Sequence, residues 1–234
     1  MTNPINHILI AGDSTAADYA AQYYPMMGWG QSLRYFALMP AAVLNFAQGG
    51  RSSRSFREEG HWDALMAALT PGDLVFIQFG HNDQKRDCPS LYAPPDRFIE
   101  LLSAMVDEVR SMKGHPVLLT SFPRCLFGAD GRLTNTHGEY PQATREAAAR
   151  TACPLLDVNQ LAHRRFVNPV KAYGYYTYPS PGSGGFAEGV QDISHFNIYG
   201  AHEMAKMVVD EFIRQELDST GWFIRKKNKR HNEG

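Results

Sequence analysis

Cysteine is scarce in this chain, and its few cysteines are not arranged as pairs. Cys88, Cys125 and Cys153 are odd in number and widely spaced, and no C-x-x-C motif occurs. This pattern excludes a disulfide framework and a cysteine zinc site, and it is typical of reduced thiols in a reducing compartment. The H-E-x-x-H motif of zinc hydrolases is missing as well.

An excess of charge of either sign is also lacking. The 23 basic side chains nearly balance the 24 acidic ones, and the formal net charge is −1. Without a net positive field, the composition argues against nucleic acid and against an anionic membrane surface as partners. Residues 219–234 contain a basic cluster at 225–230, which we interpret as a solvated tail beyond the domain.

Long hydrophobic runs are absent, since no run comes close to the roughly 20 residues of a membrane-spanning helix. The first apolar run, residues 8–11, is too short for the hydrophobic region of a signal peptide, and no basic region precedes it. We therefore expect a cytoplasmic protein with no membrane partner. A chain whose leader had been removed would give the same sequence.

The chain does contain short apolar runs that alternate with longer segments of helical periodicity. The runs predict five strands: residues 7–12, 42–46, 73–80, 116–122 and 154–159. Residues 96–114 carry an apolar stripe at helical spacing, with Gly114 expected to cap the helix, and residues 199–217 repeat the pattern. This alternation predicts one α/β domain over residues 1–218, with helices on both faces of a parallel sheet.

Polar motifs follow three of the predicted strands, at the sheet edge where α/β proteins form their sites. Gly-Asp-Ser-Thr at 12–15 follows the first strand, Gly-Gly-Arg-Ser-Ser at 49–53 the second, and Gly-His-Asn-Asp at 80–83 the third. A fourth motif, Asp-Ile-Ser-His at 192–195, directly precedes the last helix. Residues 170–192, rich in Gly, Pro and Tyr, predict a long functional loop.

Together these motifs contain the groups that acyl transfer to water requires. Ser14 is the candidate nucleophile, His195 the base, and Asp192 the carboxylate that orients it. The backbone N–H groups of Ser14 and Gly50 and the side-chain amide of Asn82 are candidate oxyanion donors. Each motif also has a simpler interpretation: a turn with a helix cap at 12–15, a tight turn or phosphate-binding loop at 49–53, and an asparagine that bonds its own loop.

The four motifs, in this order and spacing, resemble the SGNH (GDSL-like) hydrolase superfamily, and most closely the rhamnogalacturonan acetylesterases. Gly-Trp-Gly at 28–30 and Gly-Arg-Ser at 50–52 carry the resemblance to that subfamily, which extends from residue 8 to about residue 209. It implies a flavodoxin-like, three-layer α/β/α fold with a five-stranded parallel sheet.

The resemblance also implies a function. Ser14, Asp192 and His195 would form the triad, and Ser14, Gly50 and Asn82 the oxyanion hole. The expected reaction removes acetyl groups from pectic, rhamnogalacturonan-type sugars without a cofactor. Polysaccharide-trimming members are commonly secreted, whereas no leader is seen here, so we expect a small-molecule or oligosaccharide substrate.

Other residues have weaker claims to the site. Trp29, Tyr176 and the tyrosines at 173, 175 and 178 are candidates to stack on sugar rings or simply to pack. Arg51 and Arg54 either hold an anionic sugar such as a uronate or pair with surface acids. His81 is a further candidate substrate contact. His81, Asp83 and Asp87 lie close in sequence, but they lack metal-ligand spacing and predict no metal site.

Two alternative functions stay open on the sequence. The same motifs also serve esterases and lysophospholipases that act on other small acyl esters or on acetylated xylan. A non-catalytic flavodoxin-like module that binds phosphate at residues 49–53 is the remaining alternative, although it leaves Asp192 and His195 without a role. The sequence does not indicate the oligomeric state.

Overall fold

Five parallel strands form the framework of the protein, in the order β2-β1-β3-β4-β5. The computed structural model describes residues 6–182, 185–219 and 221–224. The strands are β1 (Ile8–Gly12), β2 (Val43–Asn45), β3 (Leu74–Gln78), β4 (His115–Leu119) and β5 (Leu155–Leu156). The chain runs from β1 to one edge and then returns past β1 to the other, which opens a crevice at the carboxyl ends of the strands.

Eight helices connect and cover the strands in the described ranges. They are α1 (Trp29–Leu33), α2 (Ser53–Glu58), α3 (His61–Ala68), α4 (Pro95–Ser111), α5 (Tyr140–Thr151), α6 (Val158–Arg165), α7 (Pro169–Tyr173) and α8 (Ile198–Arg214). None of these helices combines the length and the apolar character that crossing a membrane would require.

Both faces of the sheet are apolar because successive residues of each strand point to opposite sides. Ile8 and Ile10 of β1 pack into one core with α1, α6 and α8. Leu9 and Ala11 pack into a second core with α2, α3, α4 and α5. This arrangement confirms the predicted three-layer, flavodoxin-like fold.

The end of α4 differs from the prediction that Gly114 caps it. The residue in the left-handed conformation is Lys113, at φ 60°. The amide of Lys113 donates to the carbonyl of Arg110 at 2.9 Å, and the amide of Gly114 donates to that of Val109 at 3.0 Å. These two bonds form a Schellman motif with lysine in the position that glycine usually occupies.

The fifth strand is shorter than predicted, because a helix begins where the apolar run still continues. Only Leu155 and Leu156 pair with β4. The Asp157 side chain then accepts from the amide of Gln160 and caps α6, which already contains Asn159. An N-cap aspartate ends the strand within the run that we assigned to it.

Two further segment limits in the structure differ from those expected from the sequence. The predicted loop at 170–192 begins inside helix α7, which Asn168 caps through the amide of Lys171. After α8, Trp222 and Phe223 are buried in the core of the α8 face, so this core continues past residue 218, where we expected the domain to end. The basic cluster at 225–230 lies outside the described residues.

Candidate active site

Ser14 lies where β1 ends and the chain turns sharply. The carbonyl of Asp13 accepts from the amides of Ala16 and Ala17, each at 3.1 Å. The Asp13 carboxylate accepts from the amide and the hydroxyl of Thr15, at 2.9 and 2.8 Å. These bonds close the turn without using the Ser14 side chain, so its hydroxyl is available for another partner.

Helix α1 packs directly against this turn and explains the Gly-Trp-Gly sequence. A Cβ atom at Gly28 would lie 2.2 Å from the carbonyl oxygen of Ala17, so only glycine allows this approach. Trp29 is fully buried, and its indole N–H donates to Oε1 of Gln78 at 2.7 Å. The interpretation of Trp29 as a sugar-stacking residue is therefore wrong, because no face of its ring is exposed.

The Ser14 hydroxyl is 2.8 Å from Nε2 of His195. On the other side of the ring, Nδ1 of His195 is 2.6 Å from Oδ2 of Asp192. The amides of Ser194 and His195 both donate to Oδ1 of Asp192, at 2.7 and 2.9 Å. A proton on Nδ1 therefore faces the carboxylate, and the lone pair of Nε2 faces the serine hydroxyl, as general-base catalysis requires.

The Asp192 carboxylate of this candidate triad is charged at neutral pH. Burial alone would raise the pKa of Asp192, but the hydrogen bonds and charge of His195 outweigh it and hold the pKa below its usual value. The turn formed by residues 192–195 uses its own amides to fix the acid, and Asn197 caps α8 immediately afterwards through the amide of Gly200. The acid and the base thus come from one short, rigid segment.

The candidate oxyanion donors lie in neighbouring segments: the 49–50 turn lies beside Ser14, and Asn82 is bonded to Arg51 directly after that turn. Gly50 adopts φ 79°, a conformation that favours glycine, and a Cβ at its neighbour Gly49 would lie 3.9 Å from Cβ of Ser14. Within the described residues, the amides of Ser14 and Gly50 donate to no acceptor. The Asn82 amide donates one N–H to the carbonyl of Arg51 at 2.9 Å, which leaves its second N–H available.

Asp83 holds the two oxyanion loops together. Its Oδ1 accepts from the amide and hydroxyl of Ser53 at the start of α2, at 2.9 and 2.5 Å, and its Oδ2 accepts from the amide of Gly80 at 2.9 Å. Burial raises the pKa of this carboxyl to about 7, against the lowering effect of the Ser53 bonds. Because a carboxyl group already occupies the start of α2, the structure argues against phosphate binding at residues 49–53.

His81 lies behind the site and not in its opening. Its side chain is 5% exposed, and its Nδ1 is 3.0 Å from Nε2 of His137. Burial lowers the pKa of both rings well below the usual value, and the charge of Arg124 lowers both further. His81 contacts His137 at this depth, and its role as a substrate contact stays a prediction. Within the described ranges, no group of three or more acidic, histidine or cysteine side chains could hold a metal ion.

The remaining candidate substrate contacts differ in how exposed their side chains are. Tyr176 is 1% exposed and its hydroxyl donates to the carbonyl of Pro123 at 2.8 Å, so it packs and does not stack on a substrate. Arg51 and Arg54 are exposed at the site's edge and form ion pairs with Glu59 and Glu58, each at 2.7 Å. Both arginines therefore present their side chains to solvent, whereas Trp29, His81 and Tyr176 are buried.

A row of three aromatic residues beside His195 was not predicted from the sequence. The hydroxyl of Tyr19 donates to the carbonyl of Ser14 at 2.9 Å, and its ring meets that of His195 edge-on at 6.4 Å. Tyr23, 42% exposed, contacts Tyr19 at 6.2 Å and Phe186 at 6.5 Å. Their sequence carried no signal beyond the aromatic content of the segment.

Arg124 is a further residue of the site that was not predicted from the sequence. It follows β4 at the same edge of the sheet, and its Nε donates to the hydroxyl of Ser194 at 3.2 Å. Its position shortly after a predicted strand was the signal that could have identified it, because the carboxyl ends of parallel strands gather the site residues.

Comparison with known proteins agrees with this geometry. Residues 10–196 match the GDSL-like lipase/acylhydrolase family. The chain is 34% identical to the rhamnogalacturonan acetylesterase RhgT of Bacillus subtilis, with 99% of each chain covered. It is also 34% identical to the probable rhamnogalacturonan acetylesterase YesY of the same organism, with 87% of this chain and 90% of YesY covered.

A solved structure supports the same assignment. The crystal structure of YxiM from Bacillus subtilis superimposes with a TM-score of 0.78 at 27% identity, over 91% of this chain and 57% of the longer YxiM chain. The resemblance inferred from the four motifs is therefore confirmed. This chain belongs to the GDSL-like lipase/acylhydrolase family and is an ester-hydrolysing enzyme.

Proposed function

We propose that this protein is a carbohydrate O-acetylesterase that removes acetyl groups from pectic, rhamnogalacturonan-type oligosaccharides through an acetyl-enzyme at Ser14. The observation that carries the proposal is the continuous relay from the Ser14 hydroxyl through His195 to Asp192, at 2.8 and 2.6 Å. The pectic substrate is supported by the identity to RhgT and YesY over nearly the whole chain.

The first half of the reaction forms the acetyl-enzyme. The Ser14 oxygen attacks the acetyl carbonyl carbon while Nε2 of His195 takes the hydroxyl proton. The carbonyl oxygen becomes an oxyanion, which the amides of Ser14 and Gly50 and the free N–H of Asn82 stabilise. The intermediate then collapses, and His195 gives its proton to the departing sugar hydroxyl.

The second half releases acetate. Water attacks the acetyl-enzyme carbonyl, His195 takes a proton from that water, and the same donors stabilise the second oxyanion. The Ser14 oxygen leaves with the proton from His195, so the enzyme returns to its starting state. Asp192 stays ionised throughout and stabilises the imidazolium in each half.

Two exposed features flank the serine and are the proposed sugar contacts. Tyr23 and Phe186 extend from His195 along one side and offer aromatic rings to the apolar face of a pyranose. Arg51, beside Gly50, offers a guanidinium to a uronate carboxylate, in exchange for its exposed pair with Glu59. These residues replace the buried Trp29 and Tyr176 as candidates.

The test is acetate release from acetylated rhamnogalacturonan oligosaccharides, with acetylated xylan oligosaccharides and p-nitrophenyl acyl esters in parallel. Ser14→Ala is the control for each substrate. We expect fastest release from the pectic substrate and none from the variant. Faster release from xylan or from simple esters would reassign the substrate, and release that survives Ser14→Ala would refute the mechanism.

A further inference from the structure

Arg124 connects three segments around the active site. Its Nε donates to the Ser194 hydroxyl at 3.2 Å, its Nη1 to the carbonyl of Thr136 at 2.9 Å, and its Nη2 makes a long contact of 3.5 Å with the carbonyl of His81. Its neighbour Cys125 also donates its amide to the carbonyl of Ile193 at 2.7 Å. The short segment 124–125 is thus fastened to the loop that carries the acid and the base.

These contacts bridge the two halves of the catalytic machinery. Ser194 lies between Asp192 and His195, which supply the acid and the base. His81 directly precedes Asn82, which supplies an oxyanion donor. The guanidinium therefore spans from the acid–base segment to the oxyanion segment, and its planar fork can hold both at once.

The charge of Arg124 is unusual for a residue with only a connecting role. Among the described residues, no carboxylate lies within ion-pair distance of its guanidinium. Burial lowers the pKa of Arg124, and the charges of Asp13 and Asp192 offset this only in part. Because burying an unpaired charge is costly, a neutral donor would make the same hydrogen bonds at lower cost.

The nearby histidines do not share this charge. His81 and His137 pack edge to face at 4.2 Å and are both buried. Arg124 thus adds a positive charge that interacts with Asp192, whereas the two buried histidine rings are neutral at pH 7.

We propose that Arg124 is a positioning residue that fixes the acid–base segment 192–195 relative to the oxyanion segment 81–82. This proposal rests on the proposed esterase reaction at Ser14. Arg124 acts through Ser194 and His81 and touches neither the acyl group nor the triad side chains. Loss of Arg124 should therefore lower the rate of the chemical step for every ester, whatever sugar or alcohol the ester contains.

The test compares Arg124→Ala, Arg124→Lys and Arg110→Ala with the unmodified chain. Arg110 is a matched control, because its guanidinium also donates to backbone carbonyls, those of Thr151 and Ala152, at the opposite edge of the sheet. The measurements are kcat and KM for p-nitrophenyl acetate and for acetylated pectic oligosaccharides, each with and without low-millimolar guanidinium, and the melting temperature.

For Arg124→Ala we expect kcat to fall by about 10²-fold on both esters, which is the effect of misplacing a reacting group by about 1 Å. KM should change little, and free guanidinium should restore part of kcat by occupying the vacated space. Arg124→Lys should have a lower kcat than the unmodified chain, and it should recover less of kcat than guanidinium does in Arg124→Ala, because an ammonium cannot bridge both segments. Arg110→Ala should keep its kcat and show no response to guanidinium.

Three results would overturn the proposal. A higher KM for the uronate-containing substrate alone, with kcat unchanged, would make Arg124 a substrate-binding residue. An unchanged kcat in Arg124→Ala would remove any role in positioning. An equal loss of kcat in Arg110→Ala, in step with melting temperature, would show a general stability effect. Failure of the proposed reaction itself is seen separately, as hydrolysis that survives Ser14→Ala.

Discussion

The proposed mechanism gives Asp192 and Asn82, both polar side chains of the candidate site, different roles. Asp192 is held by the two amides of its own turn and by His195. Asn82 uses one N–H to hold the carbonyl of Arg51 and keeps the other for the oxyanion. Substitution of the first should disturb proton transfer, and substitution of the second should remove charge stabilisation.

Asp192→Asn should preserve the fold and lower kcat by about 10⁴-fold, because an amide no longer fixes the proton on Nδ1 of His195 or stabilises the imidazolium. The check is kcat for p-nitrophenyl acetate, together with the circular dichroism spectrum as the control for folding. A variant that retains near-normal kcat would show that His195 is oriented by some other group.

Asn82→Ala should lower kcat by about 10²–10³-fold with a smaller effect on KM, since the lost donor acts on the developing oxyanion. Asn82→Asp is the matched variant: it keeps the size of the side chain but replaces the donor with a carboxylate. It should be at least as inactive as alanine. Activity of Asn82→Asp near that of the unmodified chain would exclude the amide from the oxyanion hole.

At the scale of the element, α8 and the acid–base segment are fixed by close packing. A Cβ at Gly200, in the first turn of α8, would lie 1.9 Å from the carbonyl oxygen of Tyr175. The segment at Tyr175–Thr177 in turn pairs with residues 195–197, through bonds such as that from the amide of Thr177 to the carbonyl of His195 at 2.9 Å. A shift of the helix is therefore transmitted to the base.

Gly200→Ala should lower the free energy of unfolding by about 1–3 kcal/mol, because the added methyl group must displace backbone. It should also lower kcat, since α8 begins just after His195. Gly174→Ala is the matched control, because a Cβ there meets nothing nearer than 3.3 Å. Chemical denaturation and kcat are the measurements, and equal behaviour of the two variants would contradict the packing argument.

Tyr23→Ala should raise KM for acetylated oligosaccharides by roughly three- to tenfold and leave p-nitrophenyl acetate unaffected, since only a sugar ring uses the aromatic face. Tyr35→Ala, at an exposed tyrosine just after α1, is the control for loss of a surface tyrosine. Equal losses on both substrates would indicate that Tyr23 supports Tyr19 and His195 instead of binding sugar.

For the whole molecule, buried titratable groups give stability a pH dependence. The pKa values of His81 and His137 lie well below 6.5 in the folded state, so the unfolded chain binds more protons as pH falls below that value. These two residues therefore lower the free energy of unfolding on acidification. Asp83 has the opposite effect on stability. Its pKa of about 7 exceeds the ordinary 3.8, so the stability that it contributes at acidic pH is lost as the pH rises through 7.

His137→Gln should reduce the loss of unfolding free energy between pH 7 and pH 5, because one of the two buried imidazoles is removed. Urea denaturation at both pH values measures the difference. His115→Gln, which changes an exposed histidine, should leave the dependence as it is in the unmodified chain. An unaltered dependence in His137→Gln would mean that other groups control stability in this range.

How much of this molecule the sequence predicts depends on whether the information is local. Apolar runs and helical stripes predict the five strands and the long helices, because periodicity directly reflects burial. The capping role of Asp157 and the left-handed Lys113 were missed, since several residue types are compatible with each position. The candidate triad and oxyanion donors came from the motifs and remain predictions until the variants are measured.

Which aromatic residues are buried could not be predicted from the sequence. Trp29 is a residue type that often stacks on sugar rings. Here, the glycines on either side bring its backbone against the Ser14 turn, and the ring is buried. Arg124 stands in no motif, and its importance follows from contacts with segments far away in the chain. Long-range packing decided both cases.

The proposed nucleophile and base are far apart along the chain, with Ser14 and His195 separated by 181 positions. During synthesis, which proceeds from the amino end, the nucleophile therefore emerges long before the base and its carboxylate. A nascent chain that ends before residue 192 contains the proposed nucleophile without the proposed base and its carboxylate. Hydrolytic activity therefore reports completion of the fold, and its recovery during refolding measures when the last segment docks.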